Sequence, residues 1–325
     1  APSTSEIARN PKAFPVSTAM TGKLIVPVTA MAETHKYDQQ HATSGANPSC
    51  RTVYFFPSIH WCPDLLPRPS VVAIHDVIPL IFSESFTAPS LEWKRRLKPI
   101  ALQAEKIITV SKTSAKDIEA YLSVSPDRIT VIYNGVTKLP VSVRTKTNVP
   151  SNPYIVFLGT YDHHKNLDVV WRALKEPGLE SLSLLMVGDN KRSKARIAQL
   201  GLTERVKMTG RISDSEAGHV ISKAKALVLP SLYEGFGLPP LEAILLGTPS
   251  ICSRRPAMTE VLDGLAFFAD PDDPAEWARC LRQLMENPPN TEERREKAEK
   301  AAELYSWETA ARKLLDCCFE TSITL

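Results

Sequence analysis

Two glutamates, Glu234 and Glu242, stand eight positions apart in Tyr233-Glu234-Gly235-Phe236-Gly237-Leu238-Pro239-Pro240-Leu241-Glu242-Ala243. A short apolar run of strand length, Ala226-Leu227-Val228-Leu229-Pro230-Ser231, comes just before them. Pro239-Pro240 suits the first turn of a helix, where a missing N–H costs nothing. The order is therefore strand, loop, helix. A helix opening near Pro239 presents unpaired backbone N–H groups and the positive end of its dipole, and Gly235 and Gly237 let the backbone approach a pyrophosphate with no side chain between. Glu242, expected in the first turn, can accept two hydrogen bonds from a ribose diol. Glu234, expected in the loop, can meet sugar hydroxyls. A carboxylate pair could also serve glycoside hydrolysis, but that chemistry needs both groups flanking one scissile bond. Here one is assigned to a loop and the other to a helix, so binding of a nucleotide diphosphate is the better reading.

Other segments could supply the rest of such a site. Val71-Val72-Ala73-Ile74-His75-Asp76-Val77-Ile78-Pro79 ends an apolar run on a histidine, and Phe157-Leu158-Gly159-Thr160-Tyr161-Asp162-His163-His164-Lys165-Asn166 ends one on a glycine followed by a lysine. Val187-Gly188-Asp189, Gly210-Arg211-Ile212-Ser213-Asp214, Gly247-Thr248-Pro249 and Asp270-Pro271-Asp272-Asp273-Pro274 follow in order. In joint order and spacing, from about Tyr54 to Trp307, these segments resemble the retaining glycosyltransferases of family 4 and their E-x7-E signature. The resemblance implies the GT-B fold, two Rossmann-like α/β domains whose parallel sheets face each other across a cleft. It implies transfer of a hexose of the mannose or glucose type from a GDP- or UDP-linked donor to a hydroxyl of a glycan or lipid-linked acceptor, with retention at the anomeric carbon and no metal or other cofactor.

Carried onto this chain, the family pattern makes His75, Lys165 and Glu234 the catalytic candidates. It assigns donor binding to Gly159, Thr160, His164, Lys165, Gly188, Arg211, Ile212, Glu234, Gly235, Phe236, Gly237, Leu238 and Glu242. Lys165 is expected on the donor diphosphate, where its charge stabilises the leaving group; otherwise it is a solvated surface lysine. His75 either approaches the transferred sugar or is a satisfied core histidine, and Asp76 either orients it or caps a turn. Thr160 and His164 occupy the places where the pattern usually sets an arginine. His164, with an ordinary pKa of about 6.5, is then expected to act as a partial cation toward the diphosphate.

Composition narrows the field further. The 325 residues fit two domains, and 43% hydrophobic with 23% charged residues are globular values. A net charge of +3 with no aromatic residues interleaved along a basic stripe speaks against a nucleic-acid partner. No apolar run approaches a membrane span, and the first residues lack the pattern of a signal peptide. Six cysteines without CxxC spacing read as free thiols of a reducing cytoplasm. The basic stretch Glu92-Trp93-Lys94-Arg95-Arg96-Leu97-Lys98 reads first as the solvated face of a helix; the alternative is a peripheral contact with anionic lipid at the inner face of the plasma membrane.

Strands are expected at 24–28, 53–56, 71–74, 107–110 and 129–132, then at 154–158, 182–187, 206–208, 226–229 and 250–252, with helical patterns between them. Ser213 with Glu216 marks a helix start, as does Thr291 before Glu292-Glu293. Residues 138–153 have the composition of a linker. The expected domains are 1–141, on the acceptor side, and 142–305, on the nucleotide-sugar side, with 306–325 a helix packing back on the first through Ala310, Leu314, Leu315 and Phe319. Residues 1–50 hold only Gly22 and Gly45, so the glycine-rich loop with which the family usually opens is not found there. That gap, with the missing arginine, motivates the alternative of a GT-B protein that binds a nucleotide without catalysis. Another GT-B enzyme, such as a sugar-nucleotide epimerase, is the third reading. Oligomeric state is not set by the sequence.

Overall fold

The computed structural model describes residues 24–27, 52–82, 88–143, 147–188 and 190–323. The chain divides into two units, Ala1–Tyr133 with Trp307–Leu325, and Asn134–Ser306. Residues 1–50, where the glycine-rich loop was sought, lie outside the described residues apart from one strand, as do Cys50 and Asp189.

The first unit holds five strands, β1 (Leu24–Pro27), β2 (Thr52–Phe56), β3 (Ser70–Ala73), β4 (Lys106–Thr109) and β5 (Ile129–Val131), ordered as numbered. Strands β2 to β5 are parallel. The edge strand β1 is antiparallel to β2, with Leu24 opposite Phe55, so this sheet is not wholly parallel as expected. Side chains alternate between its faces. Phe56, Val72 and Ile107 face one core with Leu97 and Ile100 of the helix Ala88–Gln103 and Ile118 and Leu122 of the helix Lys112–Leu122. Val53, Val71 and Ile108 face the other, covered by Ala310, Leu314, Cys317 and Cys318 of the helix Trp307–Ile323.

That last helix buries a stripe at spacings of four and three, but Phe319, expected on it, is 40% exposed. The two cysteines take its place. Both are free, and burial pushes their thiols up, Cys318 to about 12, so neither is a nucleophile. On the helix Ala88–Gln103, Arg96 donates to the Cys62 carbonyl and Lys98 Nζ lies 3.4 Å from Ser123 Oγ. Two cations of the basic stretch are thus engaged within the first unit. The side chains of Glu92, Trp93 and Lys94 lie outside the described residues.

The second unit is a six-stranded, wholly parallel sheet: β6 (Tyr154–Leu158), β7 (Ser183–Val187), β8 (Val206–Gly210), β9 (Leu227–Leu229), β10 (Ser250–Ser253) and β11 (Phe267–Ala269). Its order is β11-β10-β9-β6-β7-β8. Counted from the unit's own first strand this is 6-5-4-1-2-3, the doubly wound nucleotide-binding order, with its switch point between β6 and β9. Strands buried on both faces read as continuous apolar runs, and Ile155, Val156, Phe157, Leu184, Leu185, Met186, Leu227 and Val228 are fully buried. Strand β11 is not among the strands expected from the sequence.

The boundary falls at Tyr133/Asn134 rather than after residue 141. The segment with linker composition is pinned to the helix Asp214–Lys223 of the second unit: Ser142 N donates to Ser215 O at 3.0 Å, and His219 Nδ1 lies 2.7 Å from Ser142 O. Gly218 makes room for it, since a Cβ there would stand 2.1 Å from the Pro140 carbonyl oxygen. Among the described residues no helix is long and apolar enough to cross a membrane.

Candidate functional site

In a doubly wound sheet the crevice beyond the carboxyl ends of the strands at the switch point is where ligands bind. The loops leaving β6 and β9 carry the lysine and the first glutamate of the sequence reading. After β6, Gly159 N donates to Val187 O at 3.0 Å, and its own carbonyl accepts from Asn190 Nδ2 at 3.2 Å. Gly188, at φ 115°, must lack a side chain, because a Cβ would lie 2.4 Å from that same Gly159 oxygen. Thr160 is exposed. The chain then closes a short 3₁₀ turn, His163–Lys165, and Asn166 in the left-handed region launches the helix Leu167–Ala173 while donating to Pro271 O at 2.8 Å.

The loop after β9 is stitched to this turn twice. Leu232 N donates to His164 O at 2.7 Å, and Lys165 Nζ lies 2.6 Å from Glu234 Oε1. Ser231, fully buried, donates its hydroxyl to the same carboxylate oxygen at 2.6 Å. The Lys165 and Glu234 side chains are only 19% and 12% exposed. An ion pair this enclosed keeps both charges poised in a weakly screened space, where either acts strongly on a ligand. Glu234 is near enough to the interior for its charge to reach Cys252, whose thiol is pushed up first by burial and then by that charge.

The helix after this loop spans Leu238–Leu245. Its N-cap, Gly237, sits at φ 91°, where a Cβ would meet Met258 Cε at 2.8 Å. Pro239 and Pro240 follow Leu238, so among the first three helical positions only Leu238 keeps an N–H for an anion, fewer donors than a helix start usually offers. Glu242 lies in the second turn, not the first as expected. It is half-buried, and its carboxyl pKa is raised, first by burial and then by the charge of Asp214. Gly235 is buried, and so is Phe236, which packs edge-on against Tyr305 with ring centroids 5.4 Å apart. Phe236 therefore shapes the loop from beneath.

His164 and His75 lie in contrasting surroundings. His164 is only 8% exposed, and its pKa is lowered, first by burial and then by the charge of Lys165. Burial and the lysine thus disfavour its charged form, and its backbone carbonyl holds the neighbouring loop. His75, by contrast, is no core histidine. It lies exposed beyond β3 in the first unit, with Nε2 3.2 Å from Pro57 O, and Asp76 caps the following turn by accepting from Ile78 N at 3.0 Å. Arg211 and Ile212 follow β8, the arginine exposed and the isoleucine half-buried.

The sequence reading missed Ser231, Asn190 and Arg192. Arg192 reaches the β6 loop from the segment after β7, with Nη2 3.2 Å from Tyr161 O and 3.0 Å from Asp162 Oδ1, and so brings a permanent cation to the loop in which His164 stands. Strand adjacency, with β7 beside β6, was the signal that could have found it.

Residues 143–304 match the model of the group 1 glycosyl transferases, and residues 50–138 that of glycosyltransferase family 4. The chain belongs to the group 1 glycosyltransferases. It is 31% identical over 226 residues to the O-antigen chain mannosyltransferase RfbU of Salmonella typhimurium, covering 68% of this chain and 62% of that protein. It is 32% identical over 222 residues to the MMP alpha-(1->4)-mannosyltransferase of Mycolicibacterium hassiacum, covering 66% of this chain and 54% of that protein. The chain thus spans less than two thirds of the length of either relative. Among solved structures, sucrose-phosphate synthase of Thermosynechococcus elongatus superposes with a TM-score of 0.68 at 19% identity, over 92% of this chain and 78% of that one. HepE of Anabaena, in complex with UDP and glucose, superposes with a TM-score of 0.64 at 21% identity, over 79% and 72%. These neighbours and the two parallel-sheet units assign the chain to the GT-B fold.

Proposed function

We propose that this chain is a retaining hexosyltransferase that moves a mannose- or glucose-type hexose from a GDP- or UDP-linked donor to a hydroxyl of a glycan or lipid-linked acceptor. The observation that carries the reading is the enclosed Lys165–Glu234 pair at the switch point of a nucleotide-binding sheet. The names of the two mannosyltransferase relatives support hexosyl transfer, and the UDP and glucose held by HepE support a nucleotide sugar as donor.

In the proposed reaction the bond between the anomeric carbon and the diphosphate oxygen breaks as the acceptor oxygen bonds to that carbon on the same face. The acceptor proton passes to the departing phosphate oxygen. Lys165 and the Leu238 N–H meet the charge that develops on the leaving diphosphate, in a preorganised and weakly screened setting. Glu234 receives hydroxyls of the transferred hexose, and Glu242 the ribose diol. No metal enters this scheme. The buried free thiols suit a reducing cytoplasm, where we place the enzyme, with a lipid-linked acceptor bringing it to the inner face of the membrane.

The test is incubation with GDP-mannose, UDP-glucose and related donors, with acceptor extract, following nucleoside diphosphate release and the anomeric configuration of the product. Release from one donor with an α-linked product from an α-linked donor is expected. No release and no nucleotide binding would overturn the proposal.

A further inference from the structure

Glu234 is held unevenly. Lys165 Nζ and Ser231 Oγ both approach Oε1, each at 2.6 Å, and no hydrogen bond within the described residues reaches Oε2. One carboxylate oxygen is thus anchored and the other is left for a ligand. The two anchors are not equivalent. Lys165 is partly exposed and carries a full charge that an arriving diphosphate attracts. Ser231 is fully buried, carries no charge, and sits two residues beyond β9 (Leu227–Leu229), so it cannot follow the ligand.

Resting on the function proposed above, we infer that Ser231 is the positioning residue of the transfer step: it keeps Glu234 Oε1 fixed when the donor diphosphate draws on Lys165, so that Oε2 stays aimed at the hexose. The anchor lies three residues before the group it orients, inside one loop, and its hydroxyl has a single donor proton to give. That proton is spent on Oε1, which fixes the rotamer of the carboxylate without neutralising it. Ser231 touches no donor atom in this scheme and acts only through Glu234.

The experiment compares the parent with Ser231→Ala, Glu234→Ala and the double variant, each shown to unfold at the parent's temperature. It measures free nucleoside diphosphate affinity by calorimetry, and kcat and KM with the donor that the parent consumes. Ser231→Ala should leave diphosphate affinity within about twofold while kcat falls roughly tenfold, the size of one hydrogen bond to a charged acceptor. The double variant should be no slower than Glu234→Ala alone, because Ser231 then has no side-chain oxygen left to orient. A Ser231→Ala enzyme as fast as the parent, or losses that multiply in the double variant, would overturn the inference while the hexosyltransferase reading stands. A parent that releases no diphosphate from any donor would overturn both.

Discussion

Glu234 and Glu242 belong to one motif yet sit in opposite physical conditions. The loop glutamate has its charge met in advance by Lys165 and Ser231. The helix glutamate is half-buried, has no hydrogen bond from its side chain among the described residues, and its ionised form is disfavoured by burial and by Asp214. One region is organised before the ligand arrives; the other holds an unmet demand that a ribose diol would satisfy. In the proposed function the difference separates fixing the sugar from capturing the nucleotide, two tasks that the even spacing of the motif conceals.

The contrast is broken most severely at Lys165. Lys165→Ala removes the cation that steadies Glu234 and, in the proposed reaction, meets the leaving group, and kcat/KM should fall by about 10²–10³-fold, the range seen when one preorganised donor to a developing charge is deleted. Steady-state kinetics with the consumed donor measures this; a loss below about fivefold would put Lys165 outside the site.

His164→Arg comes next, and it acts on stability. Because the ring is buried and its charged form is disfavoured, a permanent charge there should cost about 3 kcal/mol in denaturant unfolding. In the parent, the lowered pKa means that stability is lost as pH falls through the ordinary histidine value of 6.5 toward the folded one. Unchanged stability of the arginine variant would show that the ring faces solvent.

The smallest effect sharpens the comparison from the side of Glu242. Since its folded pKa is raised, the ionised carboxylate opposes folding above the ordinary value of 4.5, and the cost vanishes well below it, where both folded and unfolded chains are protonated. Glu242→Gln should therefore raise the thermal midpoint slightly near neutral pH and leave it unchanged in acid. A lowered midpoint at neutral pH would mean that the carboxylate already has a stabilising partner.

Much of this architecture was legible in the chain. The alternation of apolar runs with helical patterns gave both sheets to within a residue or two at most strand ends, and the capping box of Ser213 and Glu216 forms as read. Strand β11 and the antiparallel direction of β1 were not read; direction, for one, is not written in composition. The pinning of the linker was hidden because it depends on Gly218 and His219, some 77 residues from their partner in sequence. At the site, residue types revealed Lys165 and the glutamates, whose chemistry is unusual for a loop. Ser231 stayed unseen because a serine after a strand looks like any turn residue until its hydroxyl is found on a carboxylate. The burial of His164, which disfavours its charged form, was not legible, because a position in the family pattern says nothing of how a ring packs.

The most direct test of the division between the two glutamates is calorimetric binding of the free nucleoside diphosphate to Glu234→Ala and Glu242→Ala. The account predicts that Glu242→Ala weakens binding by roughly 1.5–3 kcal/mol, the loss of hydrogen bonds to a charged acceptor, while Glu234→Ala binds within about twofold of the parent and fails in transfer. Equal weakening in both variants, or weakening in Glu234→Ala alone, would contradict it.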